Sequence, residues 1–291
     1  ALGVRLLDRH SRGVRPTETG LELYERAQAV LALVEETERA IRPDTPGAGR
    51  VLRLGMPPAV ARTIGVEAVL GAAAGFGEIA LQVSEGWSAD LIEKLRAGKL
   101  DFVVGYGVEA SDGIEAIQLL EERFVLAGTP ELIGPGRRIA LNRALDLELI
   151  FYGDRSVAWR AVAEAAALAG RRPVQKRDVE AIDIWRTMLC RGVAAAIAPY
   201  GAIAEECRRG ELAARVVYRP PLIRRLGLAG RSDAFAIGRT VGLVGFLADL
   251  IVSAHVALGP YYRVLAGAPK HGWDRGAGGP VRSGLDLAEG A

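Results

Sequence analysis

The stretch that decides the fold runs from Glu85 to Val104: E-G-W-S-A-D-L-I-E-K-L-R-A-G-K-L-D-F-V-V. Its middle is helical, with Leu91, Ile92 and Leu95 at helical spacing, Ser88 as N-cap and Gly98 as terminator. On either side the pattern changes to short apolar runs of strand type. I-A-L-Q-V-S-E-G (79–86) predicts one strand and L-D-F-V-V-G-Y (100–106) a buried one. Further upstream, V-L-R-L-G-M (51–56) predicts a strand and P-P-A-V-A-R-T-I-G-V-E-A-V-L (57–70) a helix opened by proline. Strands alternating with helices predict an α/β fold with largely parallel sheets.

The alternation continues downstream. E-L-I-F-Y-G (148–153) predicts a strand, and residues 156–170 a helix stopped by Gly170. A strand near 173–179 and a helix over 182–192 follow, then V-A-A-A-I-A-P-Y (193–200), a helix over 202–212, a strand over 226–230 and a last helix over about 239–257. Beyond about residue 267 the chain is Gly-rich and polar, which predicts a disordered tail over 267–291.

The N-terminal segment has a different character. Residues 1–16 carry Arg5, Arg9, Arg12 and Arg15 against Asp8, a formal charge of +3, around a Ser11-Arg12-Gly13 turn. Guanidinium forks match phosphate oxygens, so a phosphate grip and a merely solvated basic loop are both open readings. Thr17, after Pro16, is a good N-cap for a helix to Arg42, stopped by Pro43. Leu21, Tyr24, Leu31, Val34 and Ile41 form one apolar stripe on that helix. The segment 43–49 (P-D-T-P-G-A-G) predicts a hinge linker, which leaves the stripe without a local core and favours pairing with a second copy.

L-G-V-R-L-L-D-R followed by G-V-R-P-T-E-T-G, with the strand–helix–strand run around Glu85–Val104, resembles the LysR-type transcriptional regulators over residues 1 to about 265. The resemblance implies an α/β, two-lobed effector-binding domain of the type 2 periplasmic-binding-protein kind, preceded by a partial winged helix-turn-helix (the wing, 1–16) and a long linker helix (17–42). Lobe I would take about 50–128 and 229–266, and lobe II about 129–228, with chain crossings near Val125–Thr129 and Leu226–Gly230. It also implies that roughly 30 residues holding the recognition helix lie upstream of Ala1. G-M-P-P-A-V and the run over 210–229 resemble the nitrogen-assimilation-control branch.

Ligands in such sheets sit beyond the carboxyl ends of strands, against helix N-termini. The expected effector-binding residues are Pro57, Pro58, Ala59, Trp87, Ser88, Tyr106, Arg155 and Glu180. The family often has Ser or Thr at the position of Ala59, and Ser at that of Glu180. Ala194 stands where a second glycine is usual. A carboxylate at 180 would repel an anion, so an amine, a neutral ligand or no ligand all fit. Arg5, Arg9, Arg12 and Arg15 are the expected DNA contacts. Leu21, Tyr24, Leu31 and Val34 are the expected dimer seam, and the resemblance adds a second interface through Leu91, Ile92 and Leu95. Expected partners are promoter DNA, an unidentified small-molecule effector and further copies of the chain in a homodimer or homotetramer.

The whole chain of 291 residues has a net charge of +2, so the basic character is local. Cys190 and Cys207 lack metal-ligand spacing and read as ordinary thiols of a reduced, cytoplasmic protein. The three histidines (His10, His255 and His271) fall in the wing, the last helix and the tail. Neither a metal nor a cofactor is expected, and no apolar run reaches membrane-spanning length. Nucleophile-elbow, Walker, zinc-protease and dinucleotide motifs are missing, which argues against an enzyme. The competing reading is a solute-sensing module with no role on DNA.

Overall fold

The computed structural model describes residues 3–10, 13–24, 26, 27, 30, 34, 50–77, 79–153, 155–171, 175–266 and 268. Arg12, Leu31, Ile41, the expected hinge 43–49 and nearly all of the expected tail lie outside these residues. At the N-terminus β1 (Leu7–His10) and β2 (Gly13–Pro16) pair antiparallel, with Arg9 opposite Val14. Helix α1 (18–24) follows, and residues 26, 27, 30 and 34 are helical as well.

The P-T-x-x-G spacing has a physical cause. The Thr17 hydroxyl accepts a hydrogen bond from the Gly20 amide at 3.0 Å, a helix N-cap, and donates to the Arg5 carbonyl at 2.8 Å. The Leu6 carbonyl presses so close to Gly20 that a Cβ there would lie 2.0 Å away, which only glycine tolerates. The hairpin and helix are thereby locked together, with Leu21, Tyr24 and Val34 exposed.

The first lobe is a six-stranded sheet in the order β14-β6-β13-β5-β3-β4. Strands β3 (Arg50–Met56), β4 (Ile79–Glu85) and β5 (Phe102–Tyr106) run parallel to one another. Helix α2 (Pro58–Gly75) extends beyond its expected end, and α3 (Ser88–Arg96) joins β4 to β5. Strands β6 (Ile114–Arg123) and β13 (Ile223–Arg231) are antiparallel partners, and β14 (Tyr262–Val264) edges the sheet. The sheet is therefore mixed: β6, on which the chain leaves the lobe, runs in the same sense as β3, β4 and β5, while the re-entering β13 and the edge strand β14 run opposite.

The second lobe centres on β7 (Val125–Gly128), flanked by β11 (Ala196–Ala198) and β12 (Ala213–Tyr218), with β8 (Arg138–Ala140) beyond β12. Strands β9 (Leu149–Phe151) and β10 (Gln175–Asp178) pair in parallel, and the Ile150 amide bonds the Ala195 carbonyl at 2.9 Å. The lobe's helices include α4 (Pro130–Ile133), α5 (Leu141–Ala144), α6 (Val157–Leu168), α7 (Ile182–Cys190) and α8 (Ala204–Arg208). The outward crossing lies at Phe124, between β6 and β7. The return lies at 219–222, between β12 and β13, ahead of the expected Leu226–Gly230.

Two other expectations are corrected. The last helix is a pair, α9 (Ser232–Thr240) and α10 (Leu243–Ala257), bent by 89° at Val241-Gly242. No single described helix is long and apolar enough to cross a membrane. Leu91 and Leu95 are buried under their own lobe, packed with Leu100 and Val103, and Ile92 packs against the same cluster. Burying each leucine contributes roughly 1.5–3 kcal/mol, so this face turns inward and leaves no leucine seam for another subunit.

One buried carboxyl sits at the crossing. Glu122, at the end of β6, is 1 % exposed and accepts a hydrogen bond from the Tyr106 hydroxyl at 2.5 Å. The Tyr262 hydroxyl and the Tyr200 backbone of the second lobe also lie against it, while Glu122 Oε1 is buried without an aligned partner. Tyr262 Oη in turn accepts from the Gly201 amide at 3.1 Å. Burial raises the Glu122 carboxyl to about 7, outweighing its hydrogen bonds. The nearby His255, buried against Tyr262, is lowered by burial to about 4.

Between its unfolded value near 4.5 and about 7, Glu122 holds more proton in the folded chain than in the unfolded one. Its contribution to stability is therefore lost as pH rises through that window. His255 acts in the opposite sense, costing stability as pH falls below 6.5 towards 4. Glu122→Gln, which keeps an acceptor for Tyr106, should gain on the wild type by up to about 3 kcal/mol between pH 5 and 7.5, read from denaturant melts. An unchanged stability difference across that range would remove the buried proton from the account.

Candidate functional site

A cleft lies between the lobes, and four helices aim their N-termini at it. Pro58 begins α2, Ser88 begins α3, Val157 begins α6 and Ile182 begins α7, and all four residues line the cleft. Unpaired amides at helix starts favour a ligand with acceptor atoms. The wall is otherwise apolar and aromatic: Trp87, Tyr106, Tyr152, Trp185 and Ile197, with no charged side chain among the described residues that line it.

Six of the eight expected binding residues line this cleft: Pro57, Pro58, Ala59, Trp87, Ser88 and Tyr106. Ser88 holds a different post from the one expected. Trp87 occupies the N-cap position of α3 without a side-chain cap bond, and Ser88 Oγ accepts from the Tyr106 amide at 3.1 Å. Ser156, by contrast, is a true N-cap, accepting from the Trp159 amide at 3.1 Å. Each hydroxyl keeps its own proton for a ligand acceptor.

Arg155 and Glu180 do not line the cleft. Arg155 is drawn outward into an ion pair with Asp90 of the other lobe. Glu180 is exposed at the rim. Together with Glu85 it opposes ionisation of the Tyr152 hydroxyl, which burial chiefly raises. Any repulsion from Glu180 thus acts at the mouth and not inside. Ala194, at the place of the second glycine, is buried and small enough to pack there.

The cleft is closed in this structure. Trp87 of lobe I and Tyr152 of lobe II bring their rings to 4.6 Å between centroids. Gly153, at φ +69°, is what lets Trp87 approach, since a Cβ there would lie 2.8 Å from the indole. Trp185 is held behind Tyr152 at 6.4 Å, its indole N–H directed at the Ile150 carbonyl at 3.3 Å. Space open to water-sized bodies is about 50 Å³. One water needs roughly 10–15 Å³, so the closed cleft holds a few waters or a very small ligand.

Residues that the sequence did not single out are Tyr152, Ser156, Val157, Ala158, Trp185, Ile197, Ala198, Pro199 and Ala202. Ser156 was legible as the residue opening a helix after a strand. Trp185 was not, because a Trp on an amphipathic helix looks like any core residue. Cys190 and Cys207 are both free thiols, partly buried. Burial raises each, Cys207 to about 12, so neither is poised as a thiolate. Among the described residues no cluster of His, Cys, Asp and Glu could hold a metal.

Residues 46–250 match the profile of the LysR substrate binding domain. A probable hydrogen peroxide-inducible genes activator of Mycobacterium avium is 27% identical over 257 residues, covering 87% of this chain and 82% of that protein. The nitrogen assimilation regulatory protein nac of Escherichia coli K12 is 28% identical over 207 residues, covering 71% and 67%. Two branches therefore match about equally. In structure, a peroxide-bound OxyR mutant of Corynebacterium glutamicum superimposes with a TM-score of 0.59 at 21% identity, covering 88% of this chain and 82% of that one. The regulatory domain of MetR, a LysR family regulator of N. meningitidis, gives 0.59 at 16%, covering 74% and 98%. With its paired lobes, interlobe cleft and matched domain, the chain belongs to the LysR family of transcriptional regulators and carries that family's ligand-sensing domain.

Proposed function

We propose that the interlobe cleft takes a small, uncharged, acceptor-bearing effector, and that its entry changes how the wing and linker helix engage promoter DNA. The observation that carries this reading is the convergence of four helix N-termini and two serine hydroxyls on an uncharged aromatic cleft. A fixed cation to neutralise a carboxylate is lacking among the lining residues, and Arg155 is committed to Asp90. The names of the peroxide-responsive relatives suggest thiol chemistry, but the raised Cys190 and Cys207 do not favour it here. Coupling requires that the effector bind one arrangement of the lobes better than the other.

On the DNA side, Arg5, Arg9, Arg12 and Arg15 are assigned to phosphates and Leu21, Tyr24, Leu31 and Val34 to a helix–helix dimer seam. The exposure of Arg5, Arg9 and Arg15, and of Leu21, Tyr24 and Val34, supports those roles. The solute-sensing alternative gives the hairpin and helix no work to do.

Two experiments test the two halves. Melting temperatures measured against a panel of small carbonyl- and hydroxyl-bearing compounds should identify stabilisers. Their effect should vanish in Ala59→Leu, which fills the cleft; stabilisation that survives the change places the ligand elsewhere. For the wing, the Arg9→Glu, Arg12→Glu double variant should reduce the slope of log affinity against log salt on duplex DNA by about 1.8, roughly 0.9 for each phosphate no longer neutralised. An unaltered slope takes the wing out of DNA binding.

A further inference from the structure

A second concavity lies on lobe II, on elements that contribute nothing to the cleft. It has about 460 Å³ open to water-sized bodies, well above the cleft's 50 Å³ and inside the usual span of roughly 300–1,000 Å³ for small-molecule sites. Its walls come from α4, β8, α5 and the loop after it, and β12. Ile139 is buried, Leu147 is half-buried, and together they give the basin an apolar floor.

Charge at this basin is one-sided. Arg138, Arg143 and Arg215 line it against a single acid, Asp146, and that carboxylate is already paired with Arg171 at 2.8 Å. Arg215 is built into the wall, donating to the Ile133 carbonyl at 2.6 Å and the Arg138 carbonyl at 2.9 Å. Its Nε is buried without a partner, so it is a fixed positive charge and not a mobile surface arm. Arg138 rests 4.6 Å over the Tyr218 ring, which limits its freedom without using its N–H donors. Neither Arg138 nor Arg143 makes an ion pair among the described residues. Both are exposed.

We propose that this lobe II basin is a second ligand site, separate from the cleft, for a small carboxylate with an apolar body. Arg138 and Arg143 hold the carboxylate through their planar forks, Arg215 supplies background positive potential, and Ile139 and Leu147 receive the apolar part. The two sites then divide by chemistry. The cleft has acceptor-seeking amides and no charge; the basin has cations above an apolar floor.

The test is titration of the full chain with octanoate, followed by heteronuclear NMR, with inorganic phosphate as a charge-only probe. Saturable octanoate binding should shift resonances of residues 138–147 and of Tyr218, and should persist in Ala59→Leu. It should weaken tenfold or more in the Arg138→Gln, Arg143→Gln pair, whose exposed side chains leave the fold and melting temperature unchanged. Phosphate should bind at least tenfold more weakly than octanoate. Four results overturn the proposal: no saturable binding, loss of binding in Ala59→Leu, indifference to the arginine pair, or phosphate binding as well as octanoate.

Discussion

The structure depends on the insertion of one returning strand between two others. Ile223–Arg231 pairs antiparallel with Phe102–Tyr106 on one side and with Ile114–Arg123 on the other. The pairing along Ile114–Arg123 runs over its whole length, from Ile114 opposite Arg231 to Arg123 opposite Ile223. Because these two strands lie side by side, the chain must leave lobe I and re-enter it at neighbouring points. Two adjacent crossings make a hinge, and a hinge between two sheets makes a cleft. Every property of the sensing site follows from that arrangement.

The hinge also holds a buried polar set centred on Glu122. Glu122 ends the outgoing strand, Tyr106 ends the strand that forms a cleft wall, and Tyr262 reaches Gly201 of the other lobe. A buried carboxyl is strongly destabilising when ionised, and burial raises Glu122 to about 7, so it is largely neutral below that pH. The same hydrogen-bonded set thus joins the cleft, the crossing and both lobes. On the opposite side, the lobes meet through the Arg155–Asp90 pair and the Trp87–Tyr152 rings. A partly exposed ion pair is worth roughly 0–1 kcal/mol, so the contacts at the cleft mouth are ones that the binding of a small ligand can outweigh. A further, more buried pair, Arg62 with Glu206 at 2.8 Å, also joins the lobes.

Much of this was legible in the chain. The run Glu85–Val104 identified the strand–helix–strand unit, and the strand ends pointed to Pro57, Pro58, Ala59, Trp87, Ser88 and Tyr106, all of which line the cleft. What could not be read were properties of pairing between distant segments. The strand 223–231 looked like a short run because its outer residues, Arg224 and Arg225, are polar; they pair with Glu122 and Glu121 across the sheet. The 239–257 helix hid a sharp break because Val241-Gly242 interrupts the apolar pattern by only two residues. Leu91, Ile92 and Leu95 were expected at an interface, but helical spacing alone does not say which surface an apolar face will meet. Arg155 stood at a strand end like a ligand-binding cation, and its partner Asp90 lies 65 residues away in sequence.

The present arrangement is a closed state in which weak contacts bridge the cleft mouth. The measurement that tests this most directly is the distance distribution between spin labels on Glu67→Cys of lobe I and Arg160→Cys of lobe II, with Cys190→Ser and Cys207→Ser to leave those sites alone. Removing the two contacts at the cleft mouth with Asp90→Asn and Trp87→Ala should lengthen and broaden that distribution. A narrow distribution unmoved by the two changes would mean that the lobes form one rigid body, and that the cleft is a fixed groove instead of a sensor that opens and shuts.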